Sequence, residues 1–235
     1  MRTFQNALLK NLDREIIERL SLRPVKLERL HELEFPGNAI EHLFFVEEGM
    51  ASMTATFNDG SQVEVCMFGY ESAIGVSALM GTKRSLNRIY MQIEGSGFSC
   101  TVEAARKEFH RCATFQSLML RYVQAQLLQA TQTAGCNAKH NIEQRLARWL
   151  LLCMDRVHTD TLKLSHEFLA DMLGSSRPTV SIAAGSFKEQ GLIEYNRALI
   201  RILDVKQLEK KACDCYPVIK NYLNNFAEFD TDFTS

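Results

Sequence analysis

Arg177 is the side chain with the most chemistry to offer, because of what surrounds it. It lies in LSHEFLADMLGSSRPTVSIAAGSFKEQGLIEYNRALIRIL, with Ser175, Ser176, Pro178, Thr179, Ser181, Ile182 and Lys188 nearby and Arg197 further on. A guanidinium fork matches the O6 and N7 acceptors of guanine, and an apolar Ile182 can meet a thymine methyl. Ser176, Thr179 and Lys188 can reach phosphates, which fix register without reading sequence. A second set is the seven cysteines. Cys213-Asp214-Cys215 is half a zinc site, wanting two more ligands at about 2.0–2.3 Å. Cys136 and His140 share a helix face if their helix continues that far. A thiol switch at Cys213 or Cys215 would need an exposed thiolate. The favoured reading is small buried or idle thiols and no metal. His31, His42 and His110 are scattered and read as surface or internally satisfied residues. The chain has no Gly-rich P-loop, no G-x-S-x-G and no paired-carboxylate motif, so no enzyme is expected.

The elements that must position Arg177 are punctuated clearly. Ser165 reads as an N-cap with Phe168, Leu169 and Met172 behind it, and Gly174 ends that helix. Ser175 or Ser176 caps the next, and Pro178 sits in its first turn, where a missing N–H costs nothing. Val180, Ala183, Ala184 and Phe187 form a core stripe. The opposite side falls near Pro178, Ser181, Ile182, Gly185 and Glu189. Gly185 costs about 1 kcal/mol against Ala inside a helix, in exchange for close approach to DNA or a neighbouring helix. LIEY and LIRIL, joined through Asn196-Arg197-Ala198, make a small hairpin. Helix, tight turn, helix and hairpin is a winged helix-turn-helix; a tri-helical protein-interaction module is the alternative.

Upstream, Arg111 to Cys136 has a helical pattern in Phe115, Met119, Val123, Leu127, Ala130 and Ala134, with Leu118, Leu120, Tyr122 and Leu128 outside that stripe. No acidic residue occurs between Glu108 and Glu143. A helix with so little charge buries more than one side. A second copy is the economical cover, because two-fold contacts are self-complementary. Phe115, Met119, Tyr122, Val123, Leu127 and Ala130 are therefore expected at a homodimer contact; the alternative is a helix wholly inside a monomer. A further helix spans Asn141 to Val157, with Ile142, Leu146, Trp149, Leu150 and Cys153.

Before these helices the texture is strand-like. Asp13 opens a short helical stretch, and then HLFFVEEG, ASMTATF, SQVEVCMFG, RIYMQIEG and GFSCTV read as separate strands. Asn58-Asp59-Gly60 is a hairpin signal. Val63, Val65 and Met67 alternate with Gln62, Glu64 and Cys66, the period of a half-buried strand. The fold class expected is α+β: a β-roll over 1–110, a dimerisation helix over 111–136, and a winged helix-turn-helix with a helical tail over 137–235.

Composition fits. Of 235 residues 46% are hydrophobic, and 27 Lys+Arg stand against 28 Asp+Glu. That balance excludes a histone-like protein. No 18-residue apolar run reads as a membrane span. The charged N-terminus lacks the core of a signal peptide, so a cytoplasmic location without membrane contact is expected. Lys+Arg and Asp+Glu number 14 and 15 over 1–136, 12 and 9 over 137–212, and 1 and 4 beyond. A mildly basic block between a neutral and an acidic one suits a double-stranded DNA face.

The order of β-roll, long helix and winged helix resembles the CRP/FNR superfamily of bacterial transcription regulators. The signature is carried by Glu167, Ala170, Leu173, Gly174, Arg177, Thr179, Val180, Leu192 and Ile193. RPTVSIAAGSFKEQGLI and ACDCY look like a proteobacterial branch whose members mostly lack a known effector. The resemblance implies a homodimer on a palindromic operator, contact with RNA polymerase, and base reading by Arg177. Pro178 and Ile182 replace polar residues of the family pattern. The resemblance also implies a candidate effector pocket at Gly69, Glu71, Arg84, Ser85 and Arg88. Tyr70 stands where the family's acid would follow glycine, and Arg84-Ser85 precedes its strand. A one-residue slip turns a strand side chain to the other face, so cyclic nucleotide is not expected to bind and no cofactor is expected. The iron–sulfur branch uses N-terminal cysteines, and none occurs before Cys66. The remaining alternatives are a cyclic-nucleotide-responsive regulator, a thiol or redox sensor, and a ligand-binding module without DNA binding.

Overall fold

A computed structural model describes residues 3–196 and 199–227. Two short helices, α1 (Ala7–Lys10) and α2 (Arg14–Leu20), precede an antiparallel sheet. Its strands are β1 (Arg23–Leu27), β2 (Glu32–Glu34), β3 (His42–Thr56), β4 (Gln62–Phe68), β5 (Ala73–Ile74) and β6 (Arg88–Thr101). They run in the order β1-β6-β3-β4, with β2 also on β6 and β5 on β3.

The sequence divides β3 and β6 into two strands each, and the structure joins them. Glycine bends these strands instead of ending them. Gly49 has φ +87°, and a Cβ there would lie 2.6 Å from the Ile93 carbonyl oxygen. Around it the β3–β6 register shifts between Val46 and Glu48, Glu48 and Met50, and Met50 and Ala51. Such bulges curve a strand without breaking the ladder. The Asp-Gly turn forms as expected: Gly60 has φ +83°, and Phe57 N–H donates to the Ser61 carbonyl at 2.9 Å. On β4 the expected inward set is reversed in part. Glu64, Cys66, Met67 and Phe68 are buried, while Val63 and Val65 are only half-buried. Helices cover this strand, so both its faces are packed.

Helix α3 (Val102–Arg111) leads into α4 (Ala113–Lys139), a 27-residue helix that runs one turn past the expected end. Asn141 then caps α5 (Ile142–Val157) through a reciprocal capping box with Gln144. The C-terminal unit comprises β7 (Thr161–Leu162), α6 (His166–Met172), α7 (Arg177–Glu189), β8 (Ile193–Asn196), β9 (Leu199–Ile202), α8 (Val205–Lys211) and α9 (Cys215–Asn225). Its small sheet runs β7-β9-β8. One continuous apolar core joins Leu8 and Phe45, through Tyr122 and Trp149, to Phe187 and Phe226. The sheet and the helix-turn-helix are therefore packed together through α4 and α5.

Candidate nucleic-acid interface

Local sequence sets the pose of α7. Ser165 Oγ accepts from Phe168 N–H and caps α6. Gly174, at φ +54°, turns the chain, and its surface abuts Val63 of β4. Ser176 Oγ accepts from Thr179 N–H at 3.3 Å and caps α7, with Pro178 in the first turn. Val180, Ala183, Ala184 and Phe187 are buried, as their spacing predicts. The face left outside carries Ser176, Arg177, Pro178, Thr179, Ile182 and Lys188, with Ile182 74% exposed. Ser175 is half-buried at its edge. Neither the Arg177 nor the Lys188 side chain makes a hydrogen bond or ion pair with the described residues. Two cations unpaired on one helical face suit an external anion.

Two expectations on α7 change. Ser181 is half-buried, and its hydroxyl lies 3.0 Å from Nδ1 of His166. His166 stacks on Tyr195 at 3.9 Å. Burial, reinforced by the charge of Arg177, holds the imidazole below its ordinary pKa. Ser181 thus ties α7 to α6 and the hairpin. Gly185 has open space where a Cβ would be, so no neighbouring helix of this chain requires it. Arg197 lies outside the described residues.

Helix α4 carries two stripes. Phe115, Leu118, Met119, Tyr122, Ala125, Gln129, Thr133 and Cys136 are buried within the chain. Phe115, Met119 and Tyr122, expected at a dimer contact, are therefore inward core residues. Their aromatic and thioether bulk packs under the sheet and α9. Val123 and Ala130 are half-buried at the stripe's edge, and Leu127 is 59% exposed. The outer stripe is Ser117, Leu120, Gln124, Leu127, Thr131, Ala134 and Ala138, all exposed and none charged. Their alternating spacing of three and four is that of a coiled-coil seam.

Residues 144–211 match a family model described as a Crp-like helix-turn-helix domain. The "Global nitrogen regulator" of Synechococcus elongatus is 26% identical over 203 residues, covering 82% of this chain and 91% of that protein. FixK2 from Bradyrhizobium japonicum superposes with a TM-score of 0.71 at 16% identity, over 82% of this chain and 98% of its own. A protein from Eubacterium rectale described as a transcriptional regulator of the crp/fnr family gives 0.68 at 19%, over 87% and 96%. At such identities the structural likenesses establish the fold. The chain therefore carries a Crp-like helix-turn-helix domain over 144–211 and shares the fold of CRP/FNR regulators over most of its length.

The residues of the candidate effector pocket drawn from the CRP/FNR pattern all have partners within the chain. Glu71 is buried and pairs with Arg156 of α5 at 3.0 Å, and also accepts from Gly69 N–H at 3.3 Å. Arg84 donates to the Gly37 carbonyl at 2.6 Å. Arg88 pairs with Glu32 at 2.9 Å and lies over the Tyr90 ring. The Ser85 hydroxyl donates to the carboxylate of Glu34, which the Gly75 N–H also approaches. Burial raises the Glu34 pKa. Ser85 and Gly75, two donors suited to a phosphate, thus already hold an internal carboxylate.

Sequence reasoning missed Glu34, Glu64, Gln129 and Arg156. Glu64 is buried beneath α5, where Trp149 Nε1 donates to it at 2.8 Å and the Ser52 hydroxyl also donates. Gln129 spans the β4 backbone, accepting from Met67 N–H and donating to its carbonyl, and also accepts from Arg156 at 3.1 Å. One signal was present: Arg156 continues the Trp149–Leu152 stripe, so a cation had to be buried there. Six of the seven cysteines are buried thiols, as expected, and Cys136, Cys213 and Cys215 converge with His140.

Proposed function

We propose that the chain is a CRP/FNR-type transcription regulator that acts as a homodimer, joined along the outer stripe of α4, and reads a two-fold-symmetric operator with α7 in the major groove. Val123, Leu127 and Ala130 belong to that contact. Arg177 reads a guanine, Ile182 meets a thymine methyl, and Ser175, Ser176, Thr179 and Lys188 hold phosphates. Pro178 shapes the entry of α7, and Arg197 adds a further contact to DNA. Transcription is changed through contact with RNA polymerase in the cytoplasm. Among the described residues no helix is long and apolar enough to cross a membrane.

The observation that carries this reading is the uncharged, exposed seam of α4 on the same chain as the unpaired cations of α7. A seam of that spacing finds its cover in an identical helix, and two copies present two reading helices. Cyclic nucleotide is not the signal in this reading, because Glu34 occupies the donors that a phosphate would need. The test is selection from random duplexes with the full-length protein. It should return an imperfect palindrome with half-sites about 34 Å apart, bound with the same affinity when millimolar cAMP or cGMP is added. A single unpaired half-site would overturn the dimeric reading. A cyclic-nucleotide-dependent gain would overturn the assignment of Glu34.

A further inference from the structure

Four side chains from distant parts of the chain meet where the end of α4 faces the start of α9. Cys136 lies in the last turns of α4, His140 is its C-cap, and Cys213 and Cys215 flank the entry to α9. Their ligand atoms all lie within 4.8 Å of one another. Cys136 Sγ is 3.5 Å from Cys213 Sγ, and Cys215 Sγ is 3.6 Å from His140 Nδ1. Around a tetrahedral ion with bonds of about 2.3 Å to sulfur and 2.0–2.1 Å to nitrogen, the corresponding edges are about 3.8 and 3.6 Å. The three thiols are buried and His140 is half-buried.

The surroundings match a ligand set as well. Nε2 of His140 lies 3.3 Å from the Asp214 carboxylate, which leaves Nδ1 facing the thiols. A histidine ligand is commonly oriented by a carboxylate on its other nitrogen. Gln132 Nε2 donates to Cys215 Sγ at 3.3 Å. Arg148 is buried, its charge acts on Cys136, and its Nε has no hydrogen-bond partner. Three thiolates and one imidazole around a divalent cation carry a net charge of −1, which a buried guanidinium nearby offsets.

We propose that Cys136, His140, Cys213 and Cys215 bind one zinc ion. The cation replaces three thiol protons, which leave to solvent, and His140 binds neutral through Nδ1. The set fills all four tetrahedral positions, so the site is structural and not catalytic. It fastens the C-terminal segment, α8 and α9, to the α4–α5 joint on which the helix-turn-helix sits. Sulfur-rich donors at these separations fit a single borderline-soft ion.

The experiment uses full-length protein purified under reductant without chelator. Elemental analysis should find one zinc per chain, and absorption at the zinc edge should report three sulfurs and one nitrogen. Titration of the chelator-stripped protein with cobalt(II) should give tetrahedral d–d bands and thiolate-to-cobalt charge transfer. Cys213→Ser and Cys215→Ser should each weaken cobalt binding more than tenfold, while Cys112→Ser, outside the cluster, leaves it unchanged. If the cluster variants do not fold, the edge spectrum and cobalt titration of the unaltered protein decide alone. Substoichiometric zinc without a tetrahedral cobalt spectrum would overturn the proposal. So would a Cys136–Cys213 disulfide in the reduced-purified protein.

Discussion

The helix-turn-helix and the sheet treat their polar groups in opposite ways. On α7, the Arg177 and Lys188 side chains stand exposed without a partner among the described residues. In the sheet unit, each candidate for ligand binding has a partner within the chain. Glu71 has Arg156, Ser85 has Glu34, Arg88 has Glu32, and Arg84 has the Gly37 carbonyl. A charge left in water costs little and remains free for an external anion. A charge buried in a core is tolerated only when paired there. In the proposed reading the unpaired set serves recognition and the paired set serves architecture.

The largest effect should come from breaking a paired set. Arg156→Ala leaves Glu71 buried and uncompensated, at a cost of about 3–5 kcal/mol. Denaturant titration should show it as a lower midpoint. A loss under about 1 kcal/mol would move Glu71 from the architectural to the binding class.

Next in size is the outer stripe of α4. Leu127→Glu puts a charge into a desolvated seam, at a cost of several kcal/mol of association. Sedimentation at micromolar protein should then report folded monomers. Met119→Glu should instead unfold the protomer, since Met119 is 1% exposed within it. Folded, dimeric Leu127→Glu would mean that the seam is not the contact.

A smaller effect concerns pH. Burial pushes the Glu64 carboxyl up to about 7, from an ordinary value of 4.5. The folded state therefore binds the extra proton, and stability falls as pH rises from about 4.5 through about 7. The loss through this group is on the order of 3 kcal/mol. Glu64→Gln should remove that slope when unfolding is compared at pH 5.5 and pH 8. An unchanged slope would place the proton elsewhere.

What was legible in the sequence was local. Ser165, Gly174, Ser176 and Pro178 delimit α6 and α7 within a few residues, so cap chemistry alone placed Arg177 and the stripe of Val180, Ala183, Ala184 and Phe187. What was not legible was long-range. Glu71 and Arg156 are 85 positions apart, and Ser85 and Glu34 are 51. No periodicity links such pairs. Helix α4 failed for a different reason: both its faces are nearly uncharged, so spacing could not separate Phe115, Met119 and Tyr122, turned inward, from Leu120 and Leu127, turned out. The cysteine corner was half legible. Cys136 and His140 share a face only because α4 continues to Lys139, and only folding brings Cys213 and Cys215 to them.

The most direct test of the contrast is a binding titration of Arg177→Ala on a selected operator, its single-base variants and random DNA, at two salt concentrations. The substitution should cost about 1–3 kcal/mol on the operator and relax preference at one G·C pair per half-site. Lys188→Ala, run beside it, should weaken all sequences alike and lower the salt slope by about 1. If Arg177→Ala weakens operator and random DNA equally, the exposed face of α7 anchors the backbone without reading bases, and base recognition by Arg177 is contradicted.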